Sequence, residues 1–108
     1  MAGMTPLTFD ILLALADEAR HGYGIIKEIE TRSGPGSTPS TGALYLALRR
    51  MQGDGLIEEE DAPAGEDARR KYYRLTSKGR DHAEAESMRL AGLVASAREK
   101  KLLAGGAA

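Results

Sequence analysis

The sequence predicts a mainly α chain with one small β-hairpin, and three observations carry that prediction. Apolar residues recur at helical spacing through Ile25, Ile26 and Ile29, and again through Leu44, Ala47, Leu48 and Met51. The segment Lys71 to Thr76 alternates, with Tyr73 and Leu75 on one face and Tyr72 and Arg74 on the other, as a half-buried strand does. From Ser77 the composition turns to Ala, Glu, Arg, Leu and Lys, all good helix formers, and stays so to about Leu103. A length of 108 residues leaves room for one domain. Its expected parts are a compact region over 1–76, a long helix over 77–104 and a disordered tail over 105–108.

Taken in order, Thr5-Pro6 starts the first helix, because Thr caps free amides and Pro suits the first helical position. That helix is expected over Leu7 to Leu15 and is apolar nearly all round. Leu7, Ile11, Ala14 and Leu15 lie on one side, and Phe9, Leu12, Leu13 and Ala16 occupy much of the other. Such a helix must be buried on both sides, so either a long helix wraps it or a second copy of the chain covers it. Asp17 to Gly22 reads as a turn, and a short amphipathic second helix follows, with Lys27, Glu28 and Glu30 opposite its isoleucines. The breakers from Ser33 to Pro39 end it, and Ser40 or Thr41 caps the third helix.

In the third helix Leu44, Ala47, Leu48 and Met51 form a core stripe; Gly42, Tyr45, Leu46 and Arg49 lie opposite, with Arg50 flanking. Asp54-Gly55 stops it, Leu56 to Glu60 is extended, and the polar stretch Asp61 to Ala68 forms a hairpin tip. Thr76 caps the last helix, whose length is on the order of 40 Å at the usual rise. Within it Ala83, Ser87, Leu90, Val94 and Ala97 repeat in alternating steps of four and three, the seam of helices packed side by side.

Fifteen Lys plus Arg against sixteen Asp plus Glu give a net charge of −1, which on its face argues against a strongly basic nucleic-acid binder. The average hides two blocks. Glu58 to Asp67 is acidic, whereas Arg69 to Arg80 carries Arg69, Arg70, Lys71, Arg74, Lys78 and Arg80 with no acid among them. The absence of cysteine excludes a disulfide, a thiolate metal site and a cysteine nucleophile. His21 reads as a turn residue with a structural hydrogen bond and His82 as a residue facing water; two isolated histidines specify no zinc site. Gly22-Tyr23-Gly24 lacks the Lys-Ser/Thr of a phosphate-binding loop. No catalytic residues and no cofactor site are legible, so the chain is expected not to be an enzyme. The run from Ile11 to Ala16 is far short of the ~20 apolar residues of a bilayer span, and no basic leader precedes it. A cytoplasmic protein without a membrane partner is expected.

Three helices, a hairpin and a long helix, with a turn-rich connection before a third helix that bears an uncommitted basic and aromatic face, make a winged helix-turn-helix. In that architecture the third helix enters the major groove and the hairpin lies along the backbone. The residues also resemble a family, the PadR-like transcriptional regulators. The likeness is carried by His21-Gly22-Tyr23, by Ser40 to Tyr45, by Leu48-Arg49-Arg50-Met51 through Gly55-Leu56-Ile57, and by Arg70 to Thr76 with Gly79. The single helix after the hairpin resembles the short form of the family. The resemblance implies a homodimeric repressor of double-stranded DNA whose last helix pairs with its partner and with the first helix. It also implies, for some members, a small aromatic effector held between the protomers.

On this architecture the expected DNA contacts are Ser40, Thr41, Gly42, Tyr45, Leu46, Arg49 and Arg50, with Arg69, Arg70, Lys71 and Arg74 at the base of the wing. The expected dimer interface is Leu7, Phe9, Leu12 and Leu13 with Ala83, Ser87, Leu90, Val94 and Ala97, and Met88 belongs to the same region. Tyr72 and Tyr73 read as packing residues. The chain departs from the family in three places. Leu46 stands where a proline is usual after the tyrosine, Gly24 replaces a larger or acidic residue, and the tip Asp61 to Asp67 is acidic where a minor-groove reader would carry Arg or Lys. The acidic tip favours the alternative reading, a winged-helix module that binds proteins or small molecules and has negligible DNA affinity.

Overall fold

The computed structural model describes residues 4–104, so the tail expected over 105–108 lies outside the described residues. The elements run α1 (Pro6–Ala14), β1 (Arg20–His21), α2 (Gly22–Ser33), α3 (Thr41–Gly53), β2 (Ile57–Glu60), β3 (Tyr72–Leu75) and α4 (Ser77–Glu99), with a single 3-10 turn at Pro35–Ser37. Each helix begins where a side chain can take up a free backbone amide. Thr5 accepts from Thr8 at 3.1 Å, Ser40 from Ala43 at 3.1 Å and Thr76 from Gly79 at 3.0 Å. The α2 cap is a histidine: Nδ1 of His21 accepts from the Gly24 amide at 3.0 Å.

The hairpin expected from β2 and β3 forms in antiparallel register, Ile57 facing Leu75 and Glu60 facing Tyr72. The structure adds β1, which pairs with the other edge of β3 and completes a sheet of order β1-β3-β2. The sequence pattern over Asp17 to Gly22 indicated a turn alone, because two residues carry no alternation and this strand exists only through its partner on β3. Tyr72 and Tyr73 are both buried, Tyr73 in the main core.

That core joins Ile11, Leu12 and Leu15 of the α1 segment to Ile25, Ile29, Leu44, Leu48, Met51, Leu56, Ile57 and Ala83. The α3 stripe is buried at all four expected positions. Packing of α1 corrects the sequence reading. It lies against α2 and α3 on one side and α4 on the other, so Leu12, expected at a dimer interface, is fully buried within its own chain. Leu7, Phe9 and Leu13 are half-buried. Cover for α1 therefore comes from α2, α3 and α4 together, and Leu7, Phe9 and Leu13 keep part of their surface open. Gly79 brings the start of α4 close to the segment between α3 and β2: a Cβ there would overlap the backbone carbonyl of Leu56.

Several cations hold helix ends by hydrogen bonds to backbone carbonyls. Arg20 donates to Ala14 O at 2.7 Å, Arg80 to Ala16 O at 2.8 Å and Lys78 to Asp54 O at 2.8 Å. These carbonyls lie at the C-terminal ends of α1 and α3, where basic groups are favoured by the helix dipole. Lys78 and Arg80 of the basic block are thus engaged in holding the fold together.

Candidate nucleic-acid interface

The outward face of α3 is open. Tyr45 is 42% exposed and Leu46 55% exposed, and Thr41, Gly42, Arg49 and Arg50 are exposed beside them. Among the described residues Arg49, Arg50 and Lys71 form no ion pair. Ser40 is occupied as the cap of α3, which leaves its lone pairs partly engaged. The Tyr45 ring leans toward the start of α2, and its phenol lies over Gly22, where a Cβ would overlap it. Glycine at position 22 is what lets α3 and α2 share this edge.

Tyr45 closes one side of a recess of about 310 Å³. His21, Gly22 and Tyr23 form its floor, and Tyr73 with Arg69, Arg70 and Lys71 of the wing base form the other side. No carboxylate lines it. Arg70, 49 residues from His21 in sequence, brings its Nη1 to 2.7 Å from His21 Nε2. Tyr72 packs edge-on against the same imidazole at 5.2 Å, and Tyr23 stacks on it at 6.3 Å. Burial and the neighbouring Arg70 charge hold the His21 pKa below its ordinary value, with Glu66 opposing. Sequence reasoning placed His21 in a turn and missed this convergence, which depends on β1 pairing with β3.

The eleven expected DNA residues do not all share this face. Arg69 is paired with Asp67 at 3.0 Å, and the guanidinium holds that carboxyl below its usual range. Arg74 is ion-paired with Glu58 and Glu60 across β2, so the acidic strand neutralises it. Arg50 points the other way, into a larger groove of about 720 Å³ between the start of α1, the end of α3 and α4. That groove has an apolar floor of Met4, Met51 and Leu56 and a rim of mixed charge, Asp54, Lys78, Asp81, Glu86 and Arg89. His82 is half-buried in it rather than facing water.

Of the seam residues on α4, Ala83 is buried against the body of the chain, Ser87 donates back to Ala83 O at 2.7 Å, and Leu90 and Ala97 are half-buried. Val94 is exposed, as are Met88 and Leu93. Among the described residues no helix is long and apolar enough to cross a membrane.

The model of the transcriptional regulator PadR-like family matches residues 11–85. The chain belongs to that family. Its matched segment starts inside α1 and ends inside α4, and so takes in α2, α3 and the three strands whole. A PadR family transcription regulator from Clostridium difficile R20291 is 31% identical, with a TM-score of 0.71 over 84% of this chain and 95% of that one. Bacillus subtilis PadR in complex with operator DNA is 22% identical, with a TM-score of 0.65 over 75% of this chain and 46% of that one, and shares the fold. An uncharacterized protein X of Lysinibacillus sphaericus is 31% identical over 70 residues, which are 65% of this chain. The match spans 64% of that relative's length. The members of the PadR-like family are transcriptional regulators, and this chain has their winged-helix fold.

Proposed function

We propose that the chain is a homodimeric, cytoplasmic, non-enzymatic repressor that binds a pseudo-palindromic DNA operator. Each protomer places α3 in the major groove, and half-sites lie about one helical turn apart. The observation that carries this reading is the continuity of the open α3 face with a recess that is cationic on the wing side and has no carboxylate in its lining. Arg49 serves base edges, whereas Arg70 and Lys71 serve phosphates. Arg69 joins them only by exchanging Asp67 for a phosphate. Arg74, held by two glutamates, and Arg50, turned to the opposite groove, drop out of the contact set.

Dimerisation is supported by the outer half of α4, where Leu90, Leu93, Val94 and Ala97 offer apolar surface that the body of the chain does not fully cover. An isologous pairing of two such helices would bury it. A small aromatic effector forms no part of this reading, because the larger groove contains one aromatic ring among its described lining residues, His82.

The experiment is fluorescence anisotropy of the purified chain with the DNA upstream of its own gene, titrated with salt. With about three phosphates neutralised per protomer, log K falls linearly with log salt at a slope near −0.9 per phosphate. Binding that ignores salt would return the chain to the reading of a winged-helix module without DNA affinity. Sedimentation tests the dimer separately: Leu90→Glu with Val94→Glu should give a monomer, and an unchanged mass refutes the α4 seam.

A further inference from the structure

We propose that His21 and Arg70 form a two-pronged clamp for one phosphate group, met in the backbone of DNA; the DNA source rests on the reading above. A neutral imidazole carries one N–H and one accepting nitrogen. At His21 both nitrogens face donors, the Gly24 amide at 3.0 Å from Nδ1 and the Arg70 guanidinium at 2.7 Å from Nε2. With Nδ1 accepting as the α2 cap, the proton sits on Nε2 and meets a guanidinium that has no lone pair to receive it. The other tautomer accepts from Arg70 but aims Nδ1–H at the Gly24 amide and uncaps α2. An imidazolium sets donors against donors on both sides. In every protonation state at least one of the two contacts lacks an acceptor.

An anionic oxygen that enters between Nε2–H and the guanidinium, with Arg70 stepping back from its 2.7 Å approach, removes the conflict. It accepts from both prongs and leaves the cap of α2 intact. The surroundings select phosphate over a neutral acceptor, since Lys71 and Arg69 stand on the rim of the same recess. The nearby acids do not enter it: Glu66 acts on His21 from the hairpin, and Asp67 engages Arg69. The recess opens beside Tyr45, on the edge of the face that α3 would present to a groove, which is where a flanking phosphate would lie.

The test uses the full chain and a mixed-sequence duplex, because a backbone contact is independent of base sequence. His21→Asn keeps a capping oxygen for Gly24 but removes the Nε2–H prong. We expect it to melt like the wild type, to bind about tenfold more weakly, and to keep the salt slope, since a hydrogen bond to a charged group is lost and no charge is. Arg70→Ala should lower the slope by about one. In the Arg70→Ala background the His21→Asn effect should shrink to about twofold or less, because both groups hold one phosphate. Wild-type affinity in His21→Asn, or effects that multiply in full, overturns the clamp and leaves the DNA reading standing.

A second arm titrates inorganic phosphate against chloride at constant ionic strength and reads the imidazole nitrogens by NMR. A saturable shift at His21 with none at His82 supports the clamp even if the duplex is not bound, in which case the DNA reading alone fails. No shift at His21, or an equal shift at His82, overturns the clamp.

Discussion

The recess at the wing base and the groove beside α4 are two concave regions built on opposite plans. The recess gathers an imidazole, an ammonium and two guanidinium groups, of which only Arg69 has an acidic partner, Asp67, and one of its walls is a side-chain tip, the Tyr45 phenol over Gly22. The groove is more than twice as large, alternates charges around an apolar floor, and rests on backbone against backbone, Gly79 against the Leu56 carbonyl. Uncompensated charge of one sign makes a place for an anion, whereas interleaved charge mostly satisfies itself. The difference teaches that the chain's cations sort by neighbour rather than by number: among the described residues Arg70 and Lys71 lack the acidic partners that Arg74 and Arg89 have beside them.

The comparison can be broken most directly on the recess side. Replacing Arg49 and Arg70 together by Ala should weaken DNA binding about a hundredfold and lower the salt slope by about one or more, measured by anisotropy. Intact affinity would remove the distinction. On the groove side Gly79→Ala should destabilise the chain by about 1–3 kcal/mol in denaturant unfolding, because a backbone carbonyl cannot step aside as a side chain can. Gly22→Ala, which displaces only a phenol, should cost less than Gly79→Ala.

A smaller effect concerns pH. The His21 pKa is depressed in the folded chain by burial and Arg70. Its neutral form therefore contributes stability that is present above the unfolded value near 6.5 and is lost as pH falls through the folded value. Thermal melts should fall over that window, and His21→Asn should remove this part of the fall. The smallest effect is expected at the groove rim, where Arg89→Ala, replacing an exposed partner of Glu86, should leave the unfolding midpoint and the DNA affinity unchanged within measurement error.

Local chemistry made much of this fold legible. Thr5, Ser40 and Thr76 cap the helices that their positions announce, and the Leu44 to Met51 stripe is buried throughout. The same local logic located the open face of α3. What it missed depends on pairs far apart in sequence. β1 is a strand only against β3, and His21 reaches Arg70 only because that pairing exists. Leu12 offered itself to a partner chain, yet the fold buries it within its own core. Arg74, Lys78 and Arg80 read as one basic block, yet two glutamates and two helix-end carbonyls engage them. Charge in a linear sequence says where cations are, and the partners that neutralise them are set by topology.

Thr76 ties the parts together. Its one hydroxyl donates to Gly55 O at 2.6 Å, just past the end of α3, and accepts from Gly79 N at 3.0 Å, in the first turn of α4. This oxygen therefore joins the end of α3 to the start of α4, as the elbow of a bent lever joins its arms. At 23 residues α4 is a long arm. A tilt of about 5° moves its far end by about 3 Å over a length of roughly 35 Å. In a dimer joined through that arm, the crossing angle of the two α4 helices would act as a caliper, setting the distance between the two reading heads.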